Sequence, residues 1–347
     1  MNLHFQRFET TGVSRFTTMK PSHPTNRKRQ DMISKLLGVA MTTAALAMGG
    51  QAFAAEWPER EITLTVMYGA GGNTDLMTRL IARQLEDALG KPVVVANKVG
   101  AMGTIGPDFV ARQKPDGYNL GIVTASTIGL APHLVPVKFT LNDFEYAAAF
   151  ANPRFGIAVK GDSPYKTMAE LIEAGKGGKV FFGSGAALNS LIVHNINQAA
   201  NTKFDIVNYK SGAEVSTALL GGQITAILAN PADILPHLPS GKMRILASAS
   251  PARWPELPNI PSIKEMGIDA GAESWTAVAA PKGTPKEIVR KVEAAVLAIA
   301  AKPEFQKALS DLGNDPIRVS GAEFEASVRK RAADWGDSLK KNGLLPK

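Results

Sequence analysis

The chain has 347 residues, 45% of them hydrophobic and 20% charged, and it contains no cysteine. That is a globular composition long enough for two domains, and it excludes thiol catalysis, disulfides, Cys-ligated zinc and iron–sulfur chemistry. The net charge of +8 does not indicate a nucleic-acid surface: residues 1–54 hold Arg7, Arg15, Lys20, Arg27, Lys28, Arg29 and Lys35 against Glu9 and Asp31, and the rest is weakly basic without charge runs.

The same N-terminal segment has the layout of a secretory signal. Arg27-Lys28-Arg29 and Lys35 precede an apolar stretch from Leu36 to Met48, which ends at Ala52-Phe53-Ala54. A basic region, a short apolar core and an A-x-A site predict export to the periplasm with cleavage after Ala54. The apolar run is too short and alanine-rich to predict a membrane span.

The first predicted strand, Ile62-Thr63-Leu64-Thr65-Val66, alternates apolar and polar residues. Leu76, Met77, Leu80, Ile81, Leu85, Ala88 and Leu89 then repeat near a 3.6-residue period and predict a helix closed by Gly90. Between them lies Tyr68-Gly69-Ala70-Gly71-Gly72-Asn73-Thr74-Asp75. A glycine-rich loop feeding a helix offers unpaired backbone N–H groups at the positive end of the helix dipole, where carboxylates and phosphates bind. Thr74 or Asn73 is predicted to cap the helix, with Asp75 in its first turn.

Pro92 to Ala96 reads as a buried strand, Gly100 to Gly106 as a loop and Pro107 to Val110 as a helix. Pro115-Asp116-Gly117 is a turn signal, and the strand Tyr118 to Val123 ends in the hydroxyl-rich loop Thr124-Ala125-Ser126-Thr127. Strand, helix, strand, helix, strand is the pattern of a parallel α/β sheet. Phe155 to Val159 is predicted as the first crossing to a second domain, followed by a capping box at Thr167-x-x-Glu170. The strand Val180-Phe181-Phe182, the loop Gly183-Ser184-Gly185 and a helix from Asn189 to Ala200 repeat the opening motif. Strands at Phe204–Tyr209, Ile224–Ala229 and Met243–Ala247 alternate with a helix over Glu214–Leu220 and a turn at Asn230-Pro231-Ala232-Asp233. Trp275 returns the chain to the first domain, where Thr284-Pro285-Lys286-Glu287 and Ser320-x-x-Glu323 are predicted helix starts.

The predicted fold is therefore α/β, with two lobes each built on a parallel-rich sheet flanked by helices. Lobe 1 takes residues 55–155 plus 278–347, lobe 2 takes 156–277, and residues 1–54 precede them. The candidate ligand-binding residues are Tyr68, Gly69, Ala70, Gly71, Gly72, Asn73, Thr74, Asp75, Ser126, Thr127, Ser184, Gly185, Asn189, Tyr209, Asn230 and Asp233. Backbone donors and small hydroxyls of this kind hold an anion reversibly without reacting with it. The loop lacks the lysine of a P-loop, and Ala96-Asn97-Lys98 replaces the acidic residue of a dinucleotide site. The five histidines are scattered, with His194 reading as structural, and Ser184 has no assignable histidine–carboxylate pair. No catalytic residue, metal site or cofactor is predicted.

Trp57-Pro58-Glu59-Arg60, Gly-Ala-Gly-Gly-Asn-Thr-Asp at 69–75, Pro92-Val93-Val94-Val95 and Gly103-Thr104-Ile105-Gly106 form an ordered set. Lys114-Pro115-Asp116-Gly117-Tyr118, Leu220-Gly221-Gly222-Gln223 and Pro281-Lys282-Gly283-Thr284-Pro285 continue it. Over residues 57–340 the chain resembles the Bug-type extracytoplasmic solute receptors of tripartite tricarboxylate transporters. That resemblance implies a Venus-flytrap periplasmic binding protein, type II-like, with a carboxylated ligand pinned between loops 68–75 and 183–189. It also implies membrane transporter subunits as partners, no nucleic acid, and a monomer. Asn73, Met67-Tyr68 and Ala229-Asn230-Pro231 depart from the family's usual residues, which bears on the ligand's identity. Two rivals remain: a two-lobed periplasmic enzyme using Asp75, His194 or Asp233, and a sensor acting on the same class of ligand.

Overall fold

The computed structural model describes residues 17–19, 56–270, 273–341 and 343–345, so the predicted signal, from Arg27 to Ala54, lies outside the described residues. The chain divides into a segment Met1–Glu56 and a unit Trp57–Lys347. Everything below concerns the second. Among the described residues no helix is long and apolar enough to cross a membrane, and no cluster of His, Asp or Glu could hold a metal ion.

The unit opens with β1 (Ile62–Val66), α1 (Asn73–Leu89), β2 (Val93–Asn97), α2 (Ile105–Ala111), β3 (Asn119–Thr124), the one-turn helix α3 (Ala125–Gly129) and β4 (Phe144–Pro153). It crosses to β5 (Gly156–Lys160), α4 (Met168–Lys176), β6 (Phe181–Ser184), α5 (Ala187–Ala200), β7 (Asp205–Asn208), α6 (Gly212–Leu220), β8 (Ala226–Ala229), the short α7 (Pro231–Ile234) and β9 (Met243–Ser248). It returns through β10 (Thr276–Pro281), α8 (Lys286–Ala300), α9 (Pro303–Asp311), β11 (Asn314–Ser320) and α10 (Gly321–Lys341).

These strands make a six-stranded sheet, β11-β4-β10-β3-β1-β2, and a five-stranded sheet, β7-β6-β8-β5-β9. Both are mixed. β1 runs parallel to β2 and β3, while β10 is antiparallel to β3 and β4. In the second sheet β6 runs parallel to β7 and β8, while β5 is antiparallel to β8 and β9. The parallel halves follow from strand–helix–strand crossovers, which put the loops after β1 and β6 at the carboxyl ends of their sheets, where ligands of open α/β sheets bind.

The apolar period read from the sequence faces inward: Met77, Ile81, Leu85 and Leu89 of α1 pack with Ile62, Leu64 and Val66 of β1. Full burial contributes about 1.5–3 kcal/mol per large side chain. In the second lobe Leu188, Leu191, Ile192 and Ile196 of α5 cover one face of the sheet, and Val215 and Leu219 of α6 cover the other.

Three expectations are corrected. Phe155–Val159, predicted as the strand that makes the first crossing, corresponds to the strand β5 but lies inside the second sheet, and the return at Trp275 leads straight into β10; both strands are paired on both sides. The chain changes sheet at Arg154-Phe155 and over 249–275. Neither Thr74 nor Asn73 caps α1, whose N-cap is Gly72 with no side-chain hydrogen bond. Thr284 does not cap α8: its hydroxyl donates to the Pro281 carbonyl at 2.7 Å, and Pro285 stands at the N-cap. The capping box at Thr167 does form, with Glu170 N–H donating to the hydroxyl at 3.2 Å and Thr167 N–H to the Glu170 carboxylate at 3.2 Å, while at Ser320 the hydroxyl accepts from Glu323 N–H at 3.2 Å.

Candidate ligand-binding site

Where the loop after β1 meets the loops after β6, β7 and β8, a small cavity of about 40 Å³ lies between the lobes. Tyr68, Gly72, Asn73 and Thr74 line it from one side, and Gly185, Ala186, Asn189, Gly212, Asn230 and Asp233 from the other, with Val215, Leu228 and Ala229. Two helices begin at its wall without a side-chain cap: α1 at Gly72 and α5 at Ala186. Glycine and alanine carry no side-chain acceptor, so the first-turn N–H groups of both helices are left for a ligand. The facing dipoles favour an anion between them, each by about 0.3–1 kcal/mol and up to roughly 2 when partly buried.

The β1–α1 loop is held rigid from beneath. Asp75, almost fully buried, accepts from Gly71 N–H at 3.0 Å, from Arg79 Nε at 2.9 Å and from Asn97 Nδ2 at 2.9 Å. Asn97 Nδ2 also donates to the Tyr68 carbonyl at 2.8 Å. Gly71 therefore does not offer its N–H to a ligand; its φ of 82° lets the turn close back on Asp75. Burial opposes the charge on Asp75, but the hydrogen bonds from Arg79, Gly71 and Asn97, with the Arg79 charge, hold its carboxyl below the usual range. The stabilisation is present above the ordinary carboxylate pKa of about 4 and is lost as pH falls through the lowered folded value. Asp75→Asn is expected to cost about 1–3 kcal/mol at pH 7. In urea denaturation the gap from wild type should narrow at pH 3.

Several predicted ligand donors are engaged elsewhere. Thr127 and Thr124 form a reciprocal cap at the start of α3, and Ser126 Oγ and N–H both bond to Ser274 Oγ at 2.9 Å. Ser184 is fully buried, donating to the Ala186 carbonyl at 2.9 Å and meeting Ser190 Oγ at 2.9 Å. These three hydroxyls hold the loops in shape and do not line the cavity. Asn73 lines it, but its amide is closed in a reciprocal pair with Asn314, at 2.9 and 3.0 Å, so it is a wall more than a donor. Asn230 reaches Arg154 with its side chain, Nδ2 donating to that carbonyl at 2.6 Å where the chain changes lobe. Gly69, Ala70 and Tyr209 stand outside the cavity along a more open groove, and Tyr209 also lines the neighbouring cavity described below. His194 belongs to a separate cavity with Met102, Leu134 and Leu339, and burial lowers its pKa.

Ala186, Gly212, Val215, Leu228 and Ala229 were not foreseen. Ser211-Gly212 did carry a signal, since it is a third strand–loop–helix junction. Gly212 is required there because a Cβ would collide with the Asp233 carboxylate. Asp233 is pushed up to about 7 by burial, against only an opposing hydrogen bond from Asn230.

Comparison with known proteins identifies the family and the fold. The family model for the tripartite tricarboxylate transporter family receptor, TctC, matches residues 77–344. A UPF0065 protein from the gbd 5′ region of Cupriavidus necator is 33% identical over 305 residues, covering 85% of this chain and 93% of its own length. BugT of Bordetella pertussis is 28% identical over 318 residues, covering 89% and 96%. The solved structure of the periplasmic binding protein BugD superposes with a TM-score of 0.79 at 30% identity, covering 84% of this chain and all of the other. A Rhodopseudomonas palustris protein with adipate gives 0.80 at 29% identity over 84% of this chain and 100% of its own. MatC of the same organism, with bound malate, gives 0.76 at 25% identity over 81% and 99%. The chain belongs to the tripartite tricarboxylate transporter receptor family and is a two-lobed solute-binding protein, not an enzyme.

Proposed function

We propose that this receptor captures a small carboxylate in the interlobe cavity and delivers it, as a periplasmic monomer, to the membrane subunits of a tripartite tricarboxylate-type transporter. The observation that carries the reading is the pair of uncapped helix N-termini, α1 and α5, facing one enclosed space from different lobes. The adipate and malate of the two Rhodopseudomonas structures are consistent with it. The ligand's carboxylate sits against the first-turn N–H groups of Asn73–Asp75 and Ala187–Asn189. Lobe 1 comprises the chain up to 155 and from β10 onward, and lobe 2 the residues between, since Thr276 and Ala277 pair with Thr124 and Val123 of β3.

Because the donors are divided between lobes, a ligand bound to both favours the closed arrangement and shifts the population toward it. Going from 1:99 to 99:1 takes roughly 5.5 kcal/mol of differential affinity, within reach of a few charge-assisted hydrogen bonds. The absence of cysteine makes the test clean. With Arg83→Cys on α1 and Lys203→Cys before β7 carrying spin labels, the inter-label distance should change to a single closed value when malate, adipate or another bound carboxylate is added. Tight binding with an unchanged distance distribution would replace the flytrap with a rigid, pre-closed site.

A further inference from the structure

A carboxylate uses the cavity's donors and leaves its acceptors unused. Asn189 is 4% exposed and its Nδ2 donates to the Leu228 carbonyl at 2.7 Å. That bond fixes which end of the amide is which, and Oδ1 remains buried without a partner. Asp233, 7% exposed, is the one charged side chain among the residues lining the cavity. No cation contributes to its electrostatics. The titratable groups on the elements packed against α7 are occupied or face elsewhere. Asp75 and Arg79 of α1 are paired with each other, Glu214 of α6 accepts the Lys210 N–H, and Lys160 of β5 pairs with Asp162. Tyr68 is half-buried, with desolvation raising the pKa of its phenol, and His237, beyond Leu235, does not line the cavity.

The space thus has two chemical ends: free N–H groups at the starts of α1 and α5, and two buried acceptors, Asn189 Oδ1 and the Asp233 carboxyl. A ligand bearing only carboxylate there leaves Asn189 Oδ1 unpaired and, wherever Asp233 is ionised, places like charges together, and both are costly. An ammonium group beside the carboxylate removes both costs.

Resting on the carboxylate-receptor reading, we infer that the solute is an amino acid, a carboxylate with an ammonium group on the adjacent carbon. Its carboxylate lies at the two helix N-termini, and its ammonium group donates to Asn189 Oδ1 and the Asp233 carboxylate. Its side chain runs past Gly185 and Ala186, which also border a neighbouring cavity of about 300 Å³ lined by Gly100–Gly103 and Asn208–Lys210.

The test is calorimetry on the purified protein with amino acids and their deamino counterparts: L-aspartate with succinate, L-glutamate with glutarate, L-leucine with 4-methylpentanoate, L-phenylalanine with 3-phenylpropanoate. In at least one pair the amino acid should bind roughly 30-fold tighter or better, and Asp233→Asn should reduce that preference to about threefold or less. The ammonium ligand stabilises ionised Asp233, so below about pH 7 binding should release protons and weaken as pH falls. Equal or tighter binding of the deamino acid in every pair overturns the ammonium assignment and leaves the carboxylate receptor standing. So does proton uptake on binding, or an amino-acid preference that survives Asp233→Asn. No binding by any member of any pair overturns both.

Discussion

Gly72→Val is expected to weaken ligand binding by at least about 100-fold while the protein stays folded. The backbone at Gly72 has φ −80° and ψ 166°, open to any residue. A Cβ there fits, with nothing nearer than the Gly69 carbonyl at 3.6 Å, Gly212 N at 3.7 Å and Ser211 Cβ at 3.9 Å. The branched γ-carbons do not fit. They must enter a cavity of only about 40 Å³ or press on Ser211-Gly212 across the cleft, so they exclude the carboxylate and oppose closure. Since the last 1.4 kcal/mol is a factor of ten, losing two or three charge-assisted hydrogen bonds at about 1.5–3 kcal/mol each reaches 100-fold easily. Gly72→Ala, whose methyl makes only ordinary contacts, should lose less than about tenfold. Calorimetry giving wild-type affinity for the valine variant would move the site away from the start of α1. A thermal melt within a few degrees of wild type confirms that the fold is unaffected.

Trp254→Ala should produce the largest loss of stability, about 3–5 kcal/mol. The indole is 1% exposed and packs with Ile245 of β9 and Ile227 of β8. Its ring lies directly over Gly156, where no Cβ could be accommodated. Its N–H donates to the Phe155 carbonyl at 3.1 Å, at the point where the chain changes sheet. Truncation leaves a void beneath β5 and removes one of the two hydrogen bonds to the Phe155 carbonyl, the other coming from Ala249 N–H at 2.8 Å. For a unit of this size each kcal/mol corresponds to roughly 2–4 °C, so the melting temperature should fall by about 6–20 °C. Trp254→Phe keeps most of the ring and loses the hydrogen bond, and should cost about 1–2 kcal/mol. A fall below about 3 °C for the alanine variant would mean that the sheet collapses into the void or does not depend on the indole.

Two strands that the sequence reading missed, β4 and β11, were hidden for different local reasons. β4 reads Phe-Glu-Tyr-Ala-Ala-Ala-Phe-Ala-Asn-Pro and is buried along nearly its whole length, so it shows no alternation, and its alanines favour helix in isolation. It is a strand because β10 and β11 bracket it. β11 contains Pro316, which argues against an interior strand, and it is accommodated at the sheet edge beside an irregularity in register.

What the sequence determined by itself is the part governed by local period and turn chemistry. Strand β1, its glycine loop and the amphipathic α1 follow from residues within about thirty positions of one another, as does the repeat of that unit at β6–α5. The two helix starts that line the cavity were legible for that reason. Only the tertiary structure decided which polar groups remain free to bind. Ser126, Thr127, Ser184 and Asn73 are occupied by Ser274, Thr124, Ser190 and Asn314, and the Ser274 and Asn314 partners lie far away in the chain. Asn189 and Asp233 were among the candidates read from the sequence, but which of their atoms stay free follows only from Leu228 and Gly212 packing against them. A hydrogen-bonding group's availability is set by what else is buried beside it, and that depends on how β4, β10 and the two sheets bring distant segments together.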